Sequence, residues 1–227
     1  MRARAWSERM SAIIINPNCT AAMTDAMLGV AKRAAPALHW EGWTSFGGPP
    51  AIQRREDGEA ASPPLLVRVR EAAERRAAGI VIGCFDDTAL EPAALSVPVP
   101  LIGIGQAAYH LCALRGWQFS VVTTLSVSVP VIEENIHRYG LAGLLGRVRA
   151  SEVPVLALED DPDGVIDRIA AEAGAAIAED GIDAIVLGCA GMVRVVNGLR
   201  ARLPVPVIDP VEAAAGCLEW LVRADRA

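Results

Sequence analysis

Two cysteines sit in matching surroundings. Cys84 follows the apolar run Gly79-Ile80-Val81-Ile82-Gly83, and Cys189 follows Ala184-Ile185-Val186-Leu187-Gly188. Each run is short, rich in β-branched residues and ended by Gly-Cys ahead of turn-formers, as a buried parallel strand reads. In open α/β sheets ligands bind at the carboxyl ends of the strands, so both thiols are expected at a binding edge. Two thiols flanking one carbon acid can racemise it. One, as thiolate, removes a proton from one face, and the other, as thiol, supplies a proton to the opposite face. A free thiol's pKa of about 8.5 suits both tasks. A single cysteine after a strand is usually a small hydrophobe, so the weight rests on the repetition. Helix N-termini expected just after each cysteine would lower its pKa through backbone N–H groups and the helix dipole.

Other groups suit simpler roles as well as chemical ones. Asp86-Asp87 supplies two carboxylates for acid–base work, but capping the next short helix is the preferred job. Asn16 and Thr123-Thr124 each follow a strand and suit a ligand contact or a local turn equally. Cys19, Cys112 and Cys217 fall in helical patterns and read as core. Gly103-x-Gly105-x-x-Ala108 imitates a dinucleotide fingerprint. The acidic residue required about 20 positions on is missing between Gln118 and Thr124, so nucleotide binding is set aside. His39, His110 and His137 have no metal-ligand spacing, and no metal is expected. The one lysine, Lys32, lies on the first helix pattern and implies no pyridoxal phosphate site.

The elements that must position the thiols alternate between strand and helix, the pattern of βαβ units. Strands are expected at 13–15, 38–44, 79–82, 100–103, 118–123, 147–151, 184–187 and 206–208. Residues 45–58 read as a long loop, and loops of that length usually cover a site. Ser62-Pro63 and Asp161-Pro162 each read as N-cap plus first helical position. An internal repeat runs through the chain. Cys84 and Cys189 are 105 residues apart, and Val-Pro-Val-Pro-Leu-Ile at 97–102 returns as Leu-Pro-Val-Pro-Val-Ile at 203–208. The fold expected is therefore α/β, with two pseudo-symmetric open lobes, each holding a mainly parallel four-stranded sheet. A cleft would lie between them, with Cys84 and Cys189 on opposite sides of one ligand. The boundaries expected are a disordered extension at 1–10, a first lobe at 11–116, a second at 117–210 and a C-terminal helix at 211–227. That helix has the option of packing back on the first lobe.

Composition removes several classes. Hydrophobic residues make up 52% of the 227 residues and aromatic ones 4%, so the core is packed from aliphatic side chains. A net charge of −6 gives no basic face for nucleic acid. No apolar stretch approaches the roughly 20 residues a membrane helix needs. Ile13-Ile14-Ile15 is too short an apolar run, behind Arg2, Arg4 and Arg9, for a signal peptide. Five cysteines without a Cys-x-x-Cys pair fit a reducing cytoplasm.

At these residues the sequence resembles the aspartate/glutamate/hydantoin racemase superfamily, and within it the hydantoin racemases. The resemblance rests on Asn-Pro-Asn at 16–18, Gly-Pro at 48–49 with Ile52, and Gly-Cys-Phe-Asp-Asp at 83–87. Val-Val-Thr-Thr at 121–124 and Gly-Cys-Ala-Gly-Met at 188–192 complete it, over about residues 11–220. It implies a homo-oligomeric racemase of 5-monosubstituted hydantoins that needs no cofactor, with Cys84 and Cys189 as the two bases. It also implies a substrate lining of Asn16, Phe85, Thr123, Ala190, Gly191 and Met192. The amino-acid racemases of the superfamily show Cys-Asn-Thr and Cys-Thr-Glu, where this chain has Cys-Phe-Asp and Cys-Ala-Gly. A free α-amino acid is thereby disfavoured and a flat, neutral imide ring favoured. Allantoin, a hydantoin with a ureido substituent, is the alternative substrate. From another class, the alternative is a non-catalytic two-lobed protein that binds a small molecule.

Overall fold

The computed structural model describes residues 11–225. The expected N-terminal extension, 1–10, lies outside the described residues. Strands β1 (Ser11–Asn16), β2 (His39–Thr44), β3 (Gly79–Ile82) and β4 (Leu101–Gly103) form a parallel sheet in the order β2-β1-β3-β4. Strands β5 (Phe119–Thr123), β6 (Leu145–Ala150), β7 (Ala184–Gly188) and β8 (Val207–Ile208) form a second, ordered β6-β5-β7-β8. The two orders are the same arrangement repeated, which makes β3 and β7 equivalent strands. Helices α1 (Ala21–Ala34), α2 (Arg55–Glu74), α3 (Leu90–Ser96) and α4 (Ile104–Arg115) belong to the first half. Helices α5 (Val129–Arg138), α6 (Ala157–Asp160), α7 (Pro162–Glu179) and α8 (Val196–Arg200) belong to the second, and α9 (Pro210–Ala224) follows β8. The last of these packs on α1 and α4 of the first lobe.

Side chains alternate along each strand between the two faces of its sheet, and this alternation builds the core. Ile14 and Val81 from the first sheet share one hydrophobic cluster with Val121 and Val186 from the second. Phe85, Tyr109 and Phe119 run through that shared cluster, with ring centroids 5.4 Å apart edge-to-face and 5.8 Å apart stacked. On the opposite faces, Ile13, Ile15, Ile80 and Ile82 pack with α2, and Val122, Ile185 and Leu187 pack with α7. The lobes therefore share one core layer and each keeps another to itself. No helix among the described residues is long and apolar enough to cross a membrane.

Two local expectations are corrected. Helix α2 starts at Arg55, so Ser62-Pro63 lies within it rather than opening it, and the loop before it is shorter than expected. The Asp57 carboxylate takes the N–H groups of Gln53 (3.0 Å) and Arg54 (3.2 Å), and Ser62 Oγ donates to the Gly58 carbonyl at 2.7 Å. Cys19 stands before α1 rather than in it, its N–H bound to the Pro49 carbonyl at 2.9 Å.

Candidate active site

The strands β3 and β7 end in the same way. Gly83 and Gly188 let each end pack closely, because a Cβ at Gly83 would meet Met27 Sδ at 2.8 Å. At Gly188 it would meet the Thr123 Cα and Cβ at 2.8 Å. Each cysteine then begins a tight turn. Asp87 N–H donates to the Cys84 carbonyl and Met192 N–H to the Cys189 carbonyl, both at 3.1 Å. These turns bring Cys84 and Cys189 to the lining of one cleft, with a cavity volume of about 40 Å³. Cys84 is half-buried and Cys189 is buried.

The remaining named residues divide. Phe85, Thr123, Ala190 and Gly191 line the same cleft. Asn16 and Met192 do not. Asn16 is fully buried behind the wall, where its Nδ2 donates to Asn18 Oδ1 (2.9 Å) and Thr24 Oγ1 (3.1 Å). Its Oδ1 accepts from Asn18 N–H at 3.1 Å, an Asx-turn. Met192 packs its side chain in the second-lobe core and offers the site only its amide. Thr123 Oγ1 is committed to the Gly188 carbonyl at 3.0 Å, tying β5 to the end of β7.

Several lining residues escaped the sequence reading. Asn18 reaches the cleft where Asn16 does not, two positions further along the same Asn-Pro-Asn motif. Gln53 and Arg54 come from the loop before α2 and form part of the mouth. Gln53 Oε1 accepts the Val155 N–H of the second lobe at 3.1 Å, which straps that loop across the cleft. Arg55 holds Glu134 of α5 with bonds of 2.9 and 2.8 Å beside it. The length and Gly/Pro content of the loop signalled a cover, but not which side chains it would contribute.

Burial governs the electrostatics. Desolvation pushes the Cys189 thiol up to about 11, although the Gly191 and Met192 N–H groups on its sulfur pull the other way. Desolvation also pushes Cys84 well above the ordinary thiol range, and the adjacent Asp86 carboxylate adds to it. The expected lowering by helix N-termini is therefore overturned: the amide donors are present, and loss of water outweighs them. Burial by itself favours the neutral thiol at both positions. Asp87 points away from it, accepting from the N–H groups of Gly105 (3.1 Å) and Gln106 (2.8 Å) and from the Tyr139 hydroxyl (2.8 Å). It caps α4, not the short α3 expected. The glycines that imitate a nucleotide motif make room for this carboxylate, since a Cβ at Gly103 would overlap it. The acceptor at that helix N-terminus is the protein's own carboxyl group.

Among the described residues no three His, Cys, Asp or Glu side chains gather in a metal-binding group. All five cysteines are free, and Cys112 is a core thiol pushed by burial to about 12.

Two equivalent parallel sheets with a thiol at the end of β3 and another at the end of β7 define a two-lobed racemase fold. A glutamate racemase from Francisella tularensis, 13% identical, shares that fold with a TM-score of 0.71 over 96% of this chain and 82% of its own. The chain belongs to the Asp/Glu/Hydantoin racemase family, whose model matches residues 13–218. A hydantoin racemase from Rhizobium meliloti is 40% identical, covering 93% of this chain and 88% of the relative. An allantoin racemase structure from Klebsiella pneumoniae is 34% identical, with a TM-score of 0.90 over 95% of this chain and 89% of that one. A second, from Pseudomonas fluorescens, is 32% identical with the same TM-score, over 95% and 92%.

Proposed function

We propose that this protein is a cofactor-independent racemase that interconverts D- and L-5-monosubstituted hydantoins, with Cys84 and Cys189 as its two bases. The observation that carries this reading is the placement of both cysteines, on equivalent strand ends, in the lining of one cleft. The C5 proton of a hydantoin is acidic because its removal gives an enolate shared with the neighbouring carbonyl. A thiolate on one face takes that proton as the C–H electron pair moves to the carbonyl oxygen. The opposing thiol then delivers its own proton to the other face, and the products are the inverted carbon and exchanged sulfur charges. In this reading donors from the cleft lining, to which Thr124 belongs, meet the developing negative charge. A neutral ring suits a dry cleft better than a zwitterionic amino acid, whose two charges would need partners.

Allantoin is the second reading. The likeness to two allantoin racemase structures favours it, and so does the narrow cleft with Gln53 and Arg54 at its mouth. A ureido group would meet polar partners there, whereas a benzyl group needs apolar room.

Polarimetry on single enantiomers of allantoin and 5-benzylhydantoin, with mass analysis in D₂O, tests both readings. Loss of rotation with one deuterium entering at C5 is the expected result, and the ratio of kcat/KM values chooses the substrate. A ligand that raises the melting temperature with no C5 exchange on any hydantoin would make the protein a binder instead.

A further inference from the structure

The turns after the two cysteines open with the same hydrogen bond and then differ. Asp87 and Ala89 turn left-handed in the first, Ala190–Arg194 form a 3-10 helix in the second, and the side chains differ too. The offset of 105 residues sets Gly191 at the place of Asp86 and Val193 at the place of Thr88. Each sulfur receives a backbone N–H, from Asp86 at Cys84 and from Gly191 and Met192 at Cys189. Only the Cys84 turn carries a carboxylate at this place, that of Asp86, which pushes the thiol up. At the equivalent Gly191 a Cβ would stand 3.7 Å from Cys189 Sγ, so a side chain there lies beside the sulfur. Asp86 lines the cleft and is held in place on two sides. Its Oδ1 accepts from Thr88 N–H at 3.0 Å and from the Thr88 hydroxyl, and its carbonyl accepts from Asn135 Nδ2 of α5 at 2.6 Å. An ionised carboxylate only accepts hydrogen bonds, so the hydrogen between it and the sulfur belongs to sulfur. A thiolate there would face a negative charge with no proton between them. Donors approach both sulfurs, the Asp86 N–H and the Thr88 side chain at Cys84 and the Gly191 and Met192 N–H groups at Cys189. At Cys189, however, no carboxylate of the same turn opposes them, and donors suit a thiolate.

We propose that Asp86 is a positioning residue that fixes the S–H of Cys84, making it the acid of the pair in the substrate-free enzyme and leaving Cys189 to carry the thiolate. This rests on the reading of the two thiols as the proton-transferring pair. In one direction Cys189 thiolate takes the C5 proton, the electron pair passes to the enolate oxygen, and the Cys84 S–H bond breaks to give the new C5–H. The enzyme is left with thiolate at Cys84 and thiol at Cys189. Return of a proton to Cys84 and loss of one from Cys189, through water, restores the starting form. Asp86 favours that return. The other charged or titratable groups around the pair are otherwise engaged or more remote. Asp87 is bound to α4 and Tyr139, Arg55 pairs with Glu134, Glu159 pairs with Arg194, and Arg54 stands exposed at the mouth.

The test is alkylation of Cys84 by iodoacetamide at pH 8, read by peptide mass, in Cys189→Ser with and without Asp86→Asn. Asparagine keeps an oxygen for the Thr88 bonds and removes the charge. A fall of about one pH unit in the titration of Cys84 gives about tenfold more thiolate, trimmed to roughly three- to fourfold in rate by lower nucleophilicity. Cys189, measured in Cys84→Ser, is expected to change by less than that in the same substitution. In the otherwise wild-type enzyme, Asp86→Asn is expected to move the alkaline limb of kcat/KM against pH to lower pH, because the acid is lost sooner. An unchanged Cys84 rate, or an equal change at Cys189, would overturn the proposal. The alkylation reads Asp86 without substrate, so an enzyme that fails to racemise hydantoins would sink the functional reading separately.

Discussion

The two lobes repeat one backbone plan and solve one problem in it differently. Helices α4 and α9 each follow the fourth strand of a lobe and present N–H groups that need a carboxylate. In the second lobe Asp209 provides it locally, accepting from Val211 N–H at 2.9 Å and Glu212 N–H at 3.4 Å. In the first lobe the matching position is Gly103, and the carboxylate arrives instead from Asp87 in the cysteine turn. Met192, at the place of Asp87, is buried among apolar side chains. The cap in the first lobe therefore ties the Cys84 turn to the helix and, through Tyr139, to the second lobe. In the second lobe the cap is independent of the cysteine. The duplicated fold preserves strand order, while the turns and the polar side chains within them diverge.

The largest expected effects concern what the lobes share. Cys84→Ser and Cys189→Ser should each lower racemisation by about 10³-fold or more, measured by polarimetry, because either base is needed for inversion. One variant at wild-type rate would break the equivalence of the strand ends.

Where the lobes differ, Asp87→Ala should destabilise the protein by about 3 kcal/mol in urea denaturation, since two amides and a buried hydroxyl lose their acceptor. Asp209→Ala should cost about 1 kcal/mol, the usual value of a local cap. Equal losses would show that the first-lobe cap is no more than local.

The glycines ahead of the cysteines sharpen the contrast further. A Cβ at Gly188 meets the backbone of Thr123, which cannot yield cheaply, whereas at Gly83 it meets first the flexible end of Met27. Gly188→Ala is expected to cost about 2 kcal/mol and Gly83→Ala about 1 kcal/mol or less.

A further contrast is in pH. Burial raises Asp87 from 3.8 to about 7, so between those values the folded chain holds a proton the unfolded chain has lost. Its contribution to stability is whole below about pH 4 and is lost as pH rises through about 7. Asp87→Asn should flatten the dependence of urea midpoint on pH in that window, and an unchanged slope would remove Asp87 as its source.

Much of this was legible in local patterns. The runs before Cys84 and Cys189 identified buried strands, the repeat identified two lobes, and Asp161 caps α7 through Gly164 N–H at 3.0 Å, as its place before Pro162 implied. What stayed hidden depends on contacts between distant segments. The start of α2 is set by Asp57 and tolerates Pro63 inside the helix, which a local reading takes as a beginning. Asn16 and Asn18 are alike in sequence, and only the packing of β1 against α1 decides which one faces the cleft. The direction of the thiol shifts follows from burial, which no motif states.

The central claim is that two thiols address opposite faces of one carbon. Its most direct measurement is exchange of the C5 hydrogen in D₂O, run separately on each enantiomer of the preferred hydantoin with Cys84→Ser and Cys189→Ser. Each variant is expected to exchange one enantiomer without inverting it, and the two variants are expected to choose opposite enantiomers. Exchange of the same enantiomer by both, or racemisation by either at the wild-type rate, would contradict it.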